Sequence, residues 1–205
     1  MKLPVEAGHY YKNYDSKKRF CSYWHQIKEI LSHKPKNILE IGVGNNFVSN
    51  YLMKRGFNVI TFDIDKKLNP VAVSSVLNIP FSDGTFDVVA CYEVMEHLPY
   101  THFKKALNEI FRVSNSYALL SLPDANRAYR IFFQMPKLGT FKKILQFPRL
   151  KKSVNHFNGQ HYWEIGKADY SLKTIIDAIR KVGFKIKKTY RVFEMPYHRF
   201  FVLKK

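Results

Sequence analysis

The 205-residue chain reads as one α/β domain whose sheet is mostly parallel, carries helices on both faces and closes with an antiparallel hairpin. Three observations predict this. From residue 36 to 123, apolar runs of strand length alternate with segments of helical period, the pattern of βαβ units. A glycine turn, Gly42-Val43-Gly44, follows the first of those strands directly. The last two apolar runs, Lys185 to Phe193 and His198 to Leu203, are separated only by Glu194-Met195-Pro196-Tyr197, a connection too short for a crossover.

Taken in order, Phe20, Tyr23, Trp24, Ile27, Ile30 and Leu31 recur at three- and four-residue spacing, predicting a helix over Ser16 to His33 that Pro35 ends. A strand over Asn37 to Ile41 is apolar except for Glu40. Phe47 to Lys54 is a short helix stopped at Gly56. Asn58 to Phe62 forms the second strand and runs into Asp63-Ile64-Asp65, Ala72 to Val76 the third, and Phe86 to Cys91 the fourth. Phe103, Leu107, Ile110 and Phe111 mark one face of a helix over Tyr100 to Val113, and Tyr117 to Leu122 is a strand closed by Pro123. Ser171 and Gly183 frame a last helix over Ser171 to Lys181. Between Asp124 and Asp169 the rhythm breaks, and so long a stretch predicts an inserted cap or binding region. The single domain thus divides into an N-terminal helical segment (1–35), a core (36–123), a cap (124–169) and a C-terminal helix and hairpin (170–205).

Composition removes several classes. With 46% apolar residues the chain has ample material for a core. Cys21 and Cys91 are too few and too isolated for a disulfide framework or a Cys-x-x-Cys metal site. The N-terminus lacks a signal-peptide h-region, and no run approaches the roughly 20 apolar residues that cross a bilayer. The expected protein is cytoplasmic and at most peripheral to a membrane. Its 34 Lys and Arg against 16 Asp and Glu leave a formal +18, which raises the question of an anionic partner. Residues 1–124 hold 15 basic and 12 acidic side chains, whereas residues 125–205 hold 19 and 4. The question therefore concerns only the cap and the C-terminal part.

The most specific constellation is Glu40-Ile41-Gly42-Val43-Gly44-Asn45-Asn46, followed by Asp63. Glycines after a buried strand let the backbone turn tightly and approach a ligand, and a carboxylate at the end of the second strand is placed to accept ribose hydroxyl hydrogens. A dinucleotide fingerprint wants a small residue where Phe47 stands, and Glu40 at the tip of the strand would repel a pyrophosphate. The same glutamate suits a ligand that carries an ammonium group.

The chain here resembles the class I S-adenosylmethionine-dependent methyltransferases, in particular the broad type-11 group. The resemblance runs from about Lys36 to Pro123. It rests on Glu40-Ile-Gly-Val-Gly, Val59-Ile-Thr-Phe-Asp63-Ile-Asp65, Asn78-Ile-Pro-Phe-Ser-Asp-Gly-Thr-Phe-Asp87-Val-Val and Glu93-Val-Met-Glu96-His97-Leu. It implies a Rossmann-like, seven-stranded sheet with an antiparallel last strand, S-adenosylmethionine as cofactor and methyl transfer as activity. Glu40 and Gly42 to Gly44 would lie by the methionyl end, Asp63 on the ribose, Ile64 beside the adenine, and Tyr92 and Glu93 near the sulfonium and acceptor. Two departures stand out: Asn46 replaces the third glycine, and Ser75 stands where an acidic residue often binds the adenine amino group, shifting that role to a hydroxyl or to main chain near Val76. Tyr10, Tyr11 and Tyr14 precede the first helix and are candidates to close over the cofactor, as N-terminal segments often do in this family.

For the acceptor, His97, His156 and His161 are candidate bases, with His97 and His161 favoured. Tyr162 and Trp163 are candidate substrate-binding aromatics, or anchors that hold the cap on the core. No carboxylate cluster points to a catalytic metal. The Asn/Asp-Pro-Pro-aromatic pattern of base-amine methyltransferases is missing, since Cys91-Tyr92-Glu93-Val94 stands there. A small-molecule or sugar- or lipid-linked acceptor is expected, with RNA, or a pocket that binds cofactor without turnover, as alternatives. Residues 126–152 interleave Arg127, Arg130, Lys142 and Lys143 with Tyr129, Phe132, Phe133 and Phe141, a mixture suited to RNA, to an anionic membrane surface, or to a helical lid packed on the sheet with solvated lysines.

Overall fold

The computed structural model describes residues 7–11, 14–147, 153–155, 157 and 159–205. Seven strands form one sheet in the order β3-β2-β1-β4-β5-β9-β8, with β1 Asn37–Ile41, β2 Asn58–Asp63, β3 Ala72–Val73, β4 Phe86–Tyr92, β5 Ser114–Pro123, β8 Lys185–Arg191 and β9 His198–Lys204. β3, β2, β1, β4 and β5 run parallel, and β9 is antiparallel to both β5 and β8. This is the Rossmann-like sheet with an antiparallel C-terminal pair.

The period of two in each strand divides two cores. Leu39, Ile41, Val89, Cys91, Leu120 and Leu122 face α3 (Phe103–Val113) and α4 (Leu172–Val182), while Ile38, Val88, Ala90, Tyr92 and Leu119 face α1 (Lys17–Ser32) and α2 (Phe47–Lys54). Strands covered on both sides must be apolar throughout, which is why Glu40 stands out. Helix ends follow local chemistry. Ser16 Oγ accepts from Arg19 N at 3.2 Å and Ser171 Oγ from Thr174 N at 3.0 Å, while Gly183 closes α4 at φ 115°.

Two expectations change. The third strand stops at Val73, because Ser75 Oγ accepts from Leu77 N at 3.2 Å and its carbonyl accepts from Asn78 N at 2.8 Å, a local turn that competes with the ladder. The basic cap segment is not a helical lid. Arg127–Met135 (β6) and Gly139–Phe147 (β7) form a separate two-stranded antiparallel hairpin. Pro136 and Gly139 would sit inside any helix there, whereas aromatic and β-branched residues suit strands.

The hairpin is tied at its base. Asp124, fully buried, takes Arg199 Nε at 2.6 Å on one oxygen and lies 3.6 Å from Arg191 Nη1 on the other, and Arg199 Nη2 donates to Gln146 of β7 at 3.1 Å. Lys142 Nζ pairs with Glu194 at 3.0 Å. Beyond these ties, most of the hairpin's apolar side chains face outward, with Tyr129, Phe133 and Phe141 all more than half exposed.

Candidate active site

Parallel strands leave a crevice beyond their C-terminal ends where the strand order reverses, here beside β1. A cavity of about 530 Å³ occupies it, lined by the segments following β1, β2 and β4 and roofed by Tyr10 and Tyr14, by Gln160 and His161, and by Tyr197 and His198.

The first end of the cavity is built from the glycine loop. Gly42 has φ 80°, and a Cβ on it would lie 2.2 Å from Val94 Cγ2. Gly44 has φ 52°, and its Cβ would rest 3.5 Å from the Tyr10 ring. A side chain at Gly42 would collide with Val94, and both glycines take left-handed backbone that other residues rarely adopt. Glu40 is buried, its Oε2 meets no donor, and burial raises its carboxyl to about 7, offset in part by Ser49. Asp63 Oδ2 accepts from Val43 N and Oδ1 from Asp65 N, both at 2.9 Å, which orients the carboxylate; burial raises its pKa. Ile64, Ser75, Val76 and Leu68 complete that side. An orphaned buried carboxylate for an ammonium group, an oriented Asp63 for ribose hydroxyls and an apolar slot for a flat base fit S-adenosylmethionine.

The opposite end follows β4. Glu93 takes φ 54° and the chain then makes one 3-10 turn, Met95–His97, which directs Glu93, Glu96 and His97 into the cavity. Glu96 is completely buried and neither carboxylate oxygen has a hydrogen-bond partner. Burial first, and Glu93 second, push its pKa well up. His97 Nδ1 is 3.0 Å from the Gln160 carbonyl oxygen, and burial lowers the pKa of its ring. His161 Nδ1 is 3.0 Å from Glu164 Oε1, which also accepts from the Tyr197 hydroxyl at 2.6 Å. His198, buried, contacts Ser22 Oγ through Nδ1 at 2.8 Å and lies 3.6 Å from Glu93 through Nε2.

Of the residues singled out in the sequence, Glu40, Gly42, Gly44, Asp63, Ile64, Ser75, Val76, Tyr92, Tyr10, Tyr14, Glu93, His97 and His161 all line this one cavity. Four described candidates do not. Asn46 sits in left-handed backbone at the start of α2 and donates through Nδ2 to the Leu68 carbonyl at 2.9 Å, bracing the loop from behind. Trp163 is wholly buried between Tyr100 and Phe103 with Nε1 donating to the Leu98 carbonyl, so of the two roles considered it takes the anchor's. Tyr162 stacks on Phe157 outside the cavity. Tyr11 is exposed, and His156 lies outside the described residues. Gln160, Tyr197, His198 and Asp65 also line the cavity, and sequence reasoning did not select them. Only Asp65 carried a local signal, as the second acid after β2. The others reach the site from residues distant in the chain.

Comparison with known proteins agrees with this geometry. A family model described as a methyltransferase domain matches residues 39–121. An uncharacterized protein of Methanocaldococcus jannaschii is 33% identical over 108 residues, 49% of this chain and 46% of that one. The ribosomal RNA small subunit methyltransferase A of Mesomycoplasma hyopneumoniae is 24% identical over 151 residues, 70% of this chain and 57% of the relative. The chain spans about half the length of the curated relatives it matches. Among solved structures, the 1,6-didemethyltoxoflavin-N1-methyltransferase of Burkholderia thailandensis, with 1,6-didemethyltoxoflavin and S-adenosylhomocysteine bound, superposes with a TM-score of 0.65 at 11% identity, covering 97% of this chain and 84% of that one. The core over residues 39–121 thus matches a methyltransferase domain, and the sheet order is that of the Rossmann-like S-adenosylmethionine-dependent methyltransferase fold.

Proposed function

We propose that the chain transfers a methyl group to an oxygen or nitrogen of a small molecule or of a sugar- or lipid-linked metabolite, with His97 or His161 assisting. The observation that carries this reading is a single cavity with a cofactor-type donor set at one end and an unsaturated cluster of ionisable groups at the other. When bound, S-adenosylmethionine supplies a methyl group whose bond to sulfur breaks as an acceptor lone pair takes the carbon. The chain's own tasks are to hold the acceptor in line and to deal with the acceptor proton. Tyr10 and Tyr14 roof the cofactor end and exclude water, while the segments around His161 and Tyr197 cover the acceptor end.

Calorimetric titration with S-adenosylhomocysteine tests the cofactor half of the reading. One molecule is expected to bind per chain, and no binding at sub-millimolar concentration removes the proposal. Cofactor consumption with any member of a metabolite panel excludes a pocket that only binds.

The RNA alternative draws support from the basic hairpin and the ribosomal RNA relative. Against it, Arg19 is the one Lys or Arg among the described residues that line the cavity, which leaves little there to hold a phosphodiester chain. The hairpin register favours a lipid surface instead. Tyr129, Ile131, Phe133, Met135 and Phe141 share its outer face with Arg127 and Lys143, and Leu138 at the tip is three-quarters exposed. Such a hairpin would bring the cavity to a lipid-linked acceptor. Among the described residues no helix is long and apolar enough to cross a membrane. Sedimentation with vesicles containing anionic lipid is expected to recover the protein, while salt-sensitive binding to RNA without vesicle binding would reverse this assignment.

A further inference from the structure

The carboxylate of Glu96 is the least compensated group in the described structure. It is completely buried, both oxygens lack a donor, and it faces the cavity. Burying an ionised carboxylate without a partner costs several kcal/mol. Folds retain such a group where something binds it. Glu93, which follows the same strand, adds to this demand: one of its oxygens is buried without a partner, and the other lies 3.6 Å from His198 Nε2.

What faces Glu96 is a pair of imidazoles. His97 and His161 pack edge to face, their ring centroids 5.1 Å apart, and one ligand-type atom from each, together with a Glu96 oxygen, lie within 4.8 Å of one another. Each ring is also braced from behind. The Gln160 carbonyl oxygen at His97 Nδ1 and the Glu164 carboxylate at His161 Nδ1 both accept, which assigns each proton to Nδ1 and each lone pair to Nε2. Glu164 is held in turn by the Tyr197 hydroxyl. An imidazole oriented by a carbonyl or carboxylate on its remote nitrogen is the usual outer shell of a metal ligand.

We propose that Glu96, His97 and His161 bind one divalent cation at the acceptor end of the cavity, with Glu93 as the adjacent carboxylate. Two nitrogens and one carboxylate oxygen suit Mn²⁺, Fe²⁺, Co²⁺ or Zn²⁺ better than the all-oxygen preference of Mg²⁺ or Ca²⁺. Three protein ligands leave coordination positions open toward the cavity. This deepens the methyl-transfer reading and, for the acceptor, rests on it: the class of acceptor becomes a molecule that presents a hydroxyl beside a second oxygen donor, so that both can reach the cation. The two histidines then assist by ligation, and the cation weakens the hold of the hydroxyl on its proton. Residues from two distant segments, 93–97 and 160–164, make the site, so neither segment alone signals it.

The test uses the full chain, stripped with chelator and returned to chelator-free buffer. Titration with MnCl₂, followed by the electron paramagnetic resonance of free Mn²⁺, is expected to show one ion bound per chain at sub-millimolar concentration without any cofactor. Glu96→Gln and His161→Ala should each weaken it by more than tenfold. Glu164→Gln, which leaves the ligands in place, should weaken it by about tenfold through the second shell. Asp83→Asn, at an exposed loop acid, should leave it unchanged. S-adenosylhomocysteine titration of each variant reports whether the cofactor end has survived. Loss of Mn²⁺ affinity with that binding retained supports the site. Absence of Mn²⁺ binding in the parent chain, or weak binding shared equally by the parent, Glu96→Gln and His161→Ala, overturns it even when S-adenosylhomocysteine binds. Mn²⁺ binding in a chain that fails to take S-adenosylhomocysteine would instead retain the metal site and sink the methyl-transfer reading.

Discussion

The strand Phe86–Tyr92 and the strand Arg127–Met135 are both rich in apolar side chains, yet one is buried along nearly its whole length and the other is exposed along nearly all of it. Helices cover β4 on both faces, and β1 and β5 flank it in the sheet. The hairpin strand has one hydrogen-bonded neighbour, and the hairpin touches the rest of the chain through one face, at Arg130, Phe132, Lys142 and Gln146. An apolar run therefore reports a demand for cover without saying what supplies it. In the sheet the chain itself meets that demand. On the hairpin's outer face the described chain leaves it open, with cations alongside.

The sharpest way to break the comparison is at the joint between the two regions. Asp124→Ala leaves Arg191 and Arg199 buried without their carboxylate and should destabilise the fold by about 3–5 kcal/mol, read from urea denaturation. A loss below about 1 kcal/mol would mean that the joint is an accessory to the sheet. Trp163→Ala, on the covered side, should cost about 3–5 kcal/mol through the cavity it leaves. Trp163→Phe, which keeps most of the packing, should leave S-adenosylhomocysteine affinity intact.

Glu40 offers a pH test of the cofactor end. Its pKa in the folded chain, about 7, lies above its ordinary value of 4.5, so the folded state holds this proton more tightly than the unfolded chain does. Its contribution to stability is accordingly full below about pH 4.5 and is lost as pH rises through about 7. Cofactor binding has the opposite sign, because an ammonium group needs the ionised form. Affinity for S-adenosylhomocysteine should rise by about tenfold between pH 6 and pH 8, following the ionised fraction of a group titrating near 7. Glu40→Gln should bind more weakly at pH 8 and show no such rise. A parallel slope in both proteins would assign the titration elsewhere.

The smallest stability effect belongs to the hairpin. Phe133→Ser and Leu138→Ser alter exposed side chains and should shift stability by less than about 0.5 kcal/mol while abolishing sedimentation with anionic vesicles. A large destabilisation would show that the outer face is covered in the folded chain.

Much of this was legible in the residues. The bounds of β1 and α2, the Ser16 and Ser171 caps and the final antiparallel pair follow from signals that act over a few positions: apolar period, a hydroxyl before a helix, a short connection. That Glu40, Gly42, Gly44 and Asp63 would meet was equally legible, since the first three adjoin one another and Asp63 ends the very next strand. The hairpin was not legible, because aromatic and basic residues in mixture satisfy either period, and only Pro136 and Gly139 argue against a helix. Trp163 showed its aromatic ring but not its address.

By itself the sequence determined the sheet, its two covered faces and the cofactor loop, because backbone propensity and burial period are properties of neighbouring residues. Tertiary structure alone decided that Glu96, His97 and His161 meet, that Asp124 stands between two arginines and that Trp163 belongs to the core. Each of these depends on where a chain returns after dozens of residues. That return is set by the packing of whole faces against one another, which no local pattern records.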